Sequence, residues 1–155
     1  PIVHATGRED EGLAGSSVGR EIYGNSDRSP EAIERRNRRF DIIDEVSPID
    51  GEPVIRKSAP SAFWGTPLIG HLNALGVDTI IAVGESTSGC VRASVLDGCT
   101  SRFRMIVGEE GVVDRHEAAH AINLFDMNQK YADVLPLADV LEYLGEVGAT
   151  QASGL

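Results

Sequence analysis

Lysine is nearly missing from this chain. Of its 155 residues, 14 are Lys or Arg, and only Lys57 and Lys130 are lysines. Asp and Glu number 24, so the formal net charge is −10 at pH 7. A chain of that sign is repelled by a phosphate backbone, which removes DNA and RNA from the expected partners. Cysteine is scarce too. Cys90 and Cys99 are too few and too close for a disulfide framework, and a reducing cytoplasm is the expected setting. No apolar run approaches the roughly 18 residues of a membrane span, so no membrane partner is expected. No basic stretch leading into an apolar one opens the given sequence.

What remains is ordinary globular composition, 41% apolar and 25% charged. The length predicts one domain over residues 1–155, able to bury roughly 70% of its unfolded surface without a metal or disulfide. Residues 1–6 read as a short strand. Residues 7–29 are polar and rich in Gly and Ser, a long irregular loop of the kind that often serves function. Ser29-Pro30 offers a cap and a first-turn proline for a short helix over 31–40. Its arginines, Arg35, Arg36, Arg38 and Arg39, read as a solvated face or an inter-subunit ion pair before an anion site.

Residues 51–57 predict a second strand ending in Lys57. After a loop, Thr66 caps a helix that Gly76 closes. Residues 77–84 (VDTIIAVG) form the strongest strand, apolar through its middle as a strand buried on both faces should be. A tight turn, a helix to about Gly98, a strand over 103–108, a helix over 117–131, a short strand VLPL and a last helix over 138–144 follow. This alternation predicts a doubly wound parallel sheet. Ligands of such sheets lie beyond the carboxyl ends of the strands.

The turn Gly84-Glu85-Ser86-Thr87-Ser88-Gly89-Cys90-Val91 joins that strong strand to a helix. Its glycine spacing approaches a P-loop, but Cys90 and Val91 stand where Lys and Ser/Thr are required. It also approaches the Gly-x-Ser-x-Gly elbow, with the last glycine one position late. What stays is a cysteine in the first turn of a helix. There a thiolate is favoured, and backbone N–H groups are available to an oxyanion. The competing reading is an inert cysteine filling a gap, which is also the reading for Cys99. Lys57, taken alone, is a solvated strand-end charge, and Arg115 a surface partner of Asp114 or a nearby Glu. His116-Glu117-Ala118-Ala119-His120 matches H-E-x-x-H in letters, but no third zinc ligand follows on that helix, and two surface histidines is the simpler reading.

Three segments carry a family resemblance: GEPVIRKSAPSAFWGTPL, IIAVGESTSGCVRASVLDG and EEGVVDRHEAAHAINLFDMNQKYADV. Through them the chain resembles the isochorismatase-like cysteine hydrolases, most closely their N-carbamoylsarcosine-cleaving branch. Lys57, Cys90 and Arg115 stand in matching order and context. The resemblance implies a Rossmann-like three-layer fold and a cysteine amidohydrolase that releases ammonia from a small linear carbamoyl or amide substrate through a thioester-type acyl-enzyme. It implies Cys90 as nucleophile, Lys57 beside the thiolate, the backbone N–H groups of Ser86 and Cys90 as oxyanion hole, Arg115 on a substrate carboxylate and Trp64 as a pocket wall. It implies no cofactor and no metal, and a cis peptide at Glu85–Ser86.

The family's catalytic Asp ends a central first strand that this chain lacks, since residues 1–6 match the family's second strand. The expectation is that this is the C-terminal part of a cleaved or split chain, with an N-terminal companion fragment carrying the Asp. A homo-oligomer, dimer or tetramer, is also expected. Two alternatives accompany the leading one: a maleamate-type amidase of the same fold, and a non-catalytic assembly module.

Overall fold

The computed structural model describes residues 1–7 and 29–153, so the loop expected over 7–29 lies almost wholly outside the described residues. The chain divides into two compact units, Pro1–His71 and Leu72–Leu155.

In the first unit, β1 (His4–Gly7) pairs in parallel with β2 (Val54–Lys57), His4 opposite Val54 and Gly7 opposite Lys57. Helix α1 (Pro30–Asn37) starts at Ser29, whose hydroxyl accepts from the Ala32 N–H at 3.3 Å, as the Ser-Pro signal predicts. Ala32 and Ile33 are its buried residues. The arginine face is solvated where described: Arg38 pairs with Glu34 one turn earlier, both well exposed. Such a pair contributes only about 0.3–0.5 kcal/mol. His4 gains a partner invisible in the sequence, Nε2 meeting Glu52 Oε2 at 2.9 Å. That contact, with the Ile49 N–H, holds the Glu52 carboxyl below its usual range. Helix α2 (Leu68–Ala74) begins after Thr66, whose hydroxyl accepts from the Leu68 N–H, and Gly76 follows at φ +67°.

The second unit is a three-stranded parallel sheet in the order β3 (Thr79–Glu85), β4 (Arg104–Val113), β5 (Asp133–Leu135). Parallel pairing requires crossovers. A π-helical turn (Thr87–Val91) with α3 (Arg92–Thr100) supplies the first, and α4 (Glu117–Lys130) the second. Val95, Met105, Val107, Leu124 and Met127 are buried in this unit, and α5 (Leu137–Ser153) contributes Val140.

Three expectations change. The last helix runs to Ser153 instead of Leu144, because Gly145 and Gly148 are carried inside the helix instead of ending it. Strand β4 runs to Val113 instead of Gly108. Its pairing with β3 breaks between Ala82–Val107 and Gly84–Val112, and the extra residues of β4 form a bulge. Third, β3 is not buried on both faces. Val83 is 58% exposed, and β3 pairs only with β4 among the described residues, so it is an edge strand despite its central-strand sequence. In the first unit β1 likewise pairs only with β2 among the described residues.

Candidate active site

The bulge in β4 sets the geometry of the site. By skipping register it places Val112 and Val113 beside Gly84 and Glu85, so the chain leaving β4 runs alongside the turn leaving β3. Glu85–Ser86 is a cis peptide, where the resemblance puts it. The Ser86 carbonyl then accepts from the N–H groups of Gly89 at 3.0 Å and Val91 at 3.2 Å. The bond to Val91 spans five residues, so the turn is wound one residue wider than an α-helix, a feature common at functional sites. Cys90 sits within this turn and is half-buried, neither sealed in hydrocarbon nor fully open. A β-carbon on Gly89 would stand 2.5 Å from Ser86 Oγ, so a side chain there would force the Ser86 hydroxyl to rotate away.

Asp114, the first residue past β4, reaches across to the turn. Its Oδ2 accepts from the Ser88 hydroxyl at 2.6 Å and the Ser88 N–H at 2.8 Å, and its Oδ1 from the Arg115 N–H at 2.8 Å. These donors, the Ser88 hydroxyl first and the Ser88 N–H second, pull the Asp114 carboxyl down to about 2. The expected Asp114–Arg115 surface pair is therefore absent. The carboxylate is committed to Ser88 and to backbone, and among the described residues Arg115 forms no ion pair. Arg115 is exposed and lines a hollow of about 390 Å³ with Glu85, Ser86, Val113 and Asp114. Ser86 and Arg115, both expected to serve the substrate, thus share one cavity.

The turn is held from a second direction. Thr87 is fully buried, and its hydroxyl meets His120 Nδ1 at 2.9 Å. His120 is one of the two histidines of the H-E-x-x-H letters; the other, His116, is exposed just before α4. Helix α3 is tied to α4 by Arg92 and Asp126 at 2.8 Å, and Asp126 also takes Lys130. Lys130 first and Arg92 second keep the Asp126 carboxyl below its usual range.

In the first unit, Lys57 is buried at the carboxyl end of β2, its Nζ donating to the Ala59 carbonyl at 3.1 Å. It is thus not the solvated strand-end charge that its position alone suggested. Trp64, in the loop that follows, is 74% exposed. The sequence singles out Cys90, Ser86, Arg115 and Lys57 as candidates and gives no sign of Asp114, Thr87 and His120 as supports of the turn. An Asp ending a strand, a Thr after a Ser and a His on a helix carry no sign of such pairing in the sequence.

The structure is that of a parallel α/β protein with a half-buried cysteine in the strand-to-helix turn at the carboxyl end of β3. The isochorismatase domain model matches residues 3–139, and the chain belongs to that family. Over 99 residues it is 48% identical to a maleamate amidohydrolase from Pseudomonas putida, covering 64% of this chain and 46% of that one. Over 103 residues it is 40% identical to an N-carbamoylsarcosine amidase from Arthrobacter sp., covering 66% of this chain and 39% of that one. The matches thus span less than half the length of these two relatives. Among solved structures, a cysteine hydrolase from Pseudomonas syringae superposes with TM-score 0.78 at 20% identity, over 94% of this chain and 72% of that one. An N-carbamoylsarcosine amidase from Thermoplasma acidophilum gives 0.68 at 26% identity, over 88% and 72%. The three-layer α/β fold expected from the resemblance is the fold of these neighbours.

Proposed function

We propose that the chain provides the nucleophile side of an amidohydrolase acting on a small linear amide or carbamoyl compound that bears a carboxylate. The observation that carries this reading is the shared hollow of Ser86 and Arg115 next to the Cys90 turn. Arg115, exposed and without an ion pair among the described residues, suits bidentate capture of a carboxylate. The Cys90 thiolate attacks the substrate carbonyl and a C–S bond forms. The oxyanion is met by the N–H groups of Ser86 and Cys90, each such donor being worth roughly 3–4 kcal/mol. The C–N bond breaks, ammonia leaves with a proton from a general acid, and water then cleaves the thioester, returning the thiolate. From a ureido substrate the acid released is a carbamate, which decays to CO2 and an amine. The resemblance adds Lys57 as the cation that favours an ionised thiol and Trp64 as a pocket wall.

The general acid–base carboxylate belongs to a further polypeptide segment that pairs along the open edge of β3. The edge of β3, unpaired among the described residues, and the exposed Val83 of an otherwise apolar strand support this part. Full ammonia release by these 155 residues alone would overturn it.

N-carbamoylsarcosine is the leading substrate on the motif match. Maleamate is the second reading, favoured by the higher identity of its hydrolase. The test is ammonia release from both compounds and from nicotinamide by the protein expressed from its complete gene. Release from one of the two carboxylates, abolished in Cys90→Ser, is expected. Equal release by Cys90→Ser, or none from any carboxylate-bearing amide, overturns the reading.

A further inference from the structure

We propose that Asp114 and His120 are positioning residues that hold the Ser86–Val91 turn from two sides and thereby fix the sulfur of Cys90. The proposal rests on the reading of Cys90 as the nucleophile. The turn is short and wide, and the Ser86 carbonyl closes it through Gly89 and Val91. Its side chains are fastened from outside. On one side the Asp114 carboxylate takes both the main-chain and side-chain donors of Ser88, two charge-assisted bonds that set the position and rotation of that residue. On the other side the wholly buried Thr87 hydroxyl has His120 as its partner, and a buried hydroxyl left without one is costly.

The two anchors sit on separate elements, just past the end of β4 and in the first turn of α4. Helix α4 is in turn fixed to α3, the helix that continues from Cys90, through Arg92 and Asp126. Ser88 and Thr87, two and three residues before the sulfur, are thus held at fixed points. His120 does not line the hollow, and Asp114, which does, has both carboxylate oxygens occupied by Ser88 and the Arg115 N–H. Asp114 remains an anion across the working pH range, which keeps its bonds to Ser88 charge-assisted.

The experiment measures alkylation of Cys90 by iodoacetamide at pH 7, read by peptide mass spectrometry with Cys99 of the same chain as internal standard. The variants are Ser88→Ala, Asp114→Asn and Thr87→Val, with Thr87→Ser as the conservative rescue. The expected result is a Cys90 rate lowered about fivefold or more, with Cys99 within twofold and Thr87→Ser near the parent. The expected kcat loss for ammonia release is ~10–100-fold, with KM within threefold. Asp114→Asn removes a negative charge, which by itself favours the Cys90 thiolate and speeds alkylation. Slowing in this variant therefore reads the lost anchor and not the charge.

Ser88→Ala keeps the main-chain bond to Asp114 and serves where Asp114→Asn fails to fold. An unchanged or faster Cys90 rate in all three variants overturns the proposal. A parent protein that releases no ammonia while the variants still slow Cys90 alkylation sinks the amidase reading and leaves the anchors standing. Variants with parental kcat and alkylation rates sink the anchors and leave the amidase reading standing.

Discussion

Ser86 Oγ stands 2.5 Å from the point a β-carbon on Gly89 would occupy, so the present rotamer of Ser86 depends on Gly89 having no side chain. The Ser86 β-carbon itself lies 3.8 Å from that point, an ordinary contact distance. Gly89→Ala is therefore expected to turn the Ser86 hydroxyl away and lower kcat by about tenfold or less. Adding Ser86→Ala removes the colliding oxygen, and the double variant should match Ser86→Ala alone to within about twofold. Failure of the second substitution to restore ammonia release would show that the collision is not the cause.

Arg115→Ala should act on binding before chemistry. Loss of a charged hydrogen-bonding group contributes about 1.5–3 kcal/mol, or ~10–100-fold in KM for a carboxylate-bearing substrate. An uncharged amide of similar size should lose less than threefold. Steady-state kinetics on such a pair decide this, and equal losses on both would remove the carboxylate role.

Asp114 makes stability acid-sensitive in a defined window. Its carboxyl is held at about 2 in the folded chain against an ordinary value of 3.8. A depressed carboxylate adds stability that is fully present above the ordinary value and is lost as pH falls from there through about 2. Urea unfolding of the parent and of Asp114→Asn should therefore differ most at neutral pH and converge as pH approaches 2. A difference that stays constant across that window would contradict the assigned hydrogen bonds.

Met127 is fully buried in the second unit. Met127→Ala should cost about 2–5 kcal/mol in a urea titration, from lost transfer energy and the cavity left behind. Phe125, two residues earlier and 63% exposed, should tolerate alanine with a change below about 1 kcal/mol.

Much of the candidate site was legible because its chemistry is local. A cysteine between Gly89 and Val91, a strand rich in Ile and Val before it and a helix after it give a thiol in a strand-to-helix turn from sequence alone. Lys57 and Arg115 were legible only through the family match, since a strand-end lysine and an arginine beside an aspartate have commonplace alternatives. The end of the last helix was misplaced because Gly145 and Gly148 disfavour helix locally, yet both lie within α5. The burial of β3 was misjudged because an apolar run reports what a strand is built to contact, not whether a neighbour is present.

The order of strands and helices, the parallel class and the place of Cys90 in a strand-to-helix turn were set by sequence, because periodicity, caps and glycines act over a few residues. The tertiary structure alone decided that Asp114 turns to Ser88 and not to the Arg115 side chain, that His120 serves Thr87, and that Arg115 shares a hollow with Ser86. Those pairings depend on a register skip in β4 and a crossover helix that bring residues 26 to 33 positions apart within 3 Å. Distances across such separations are fixed by the packing of whole elements, which no short stretch of sequence encodes.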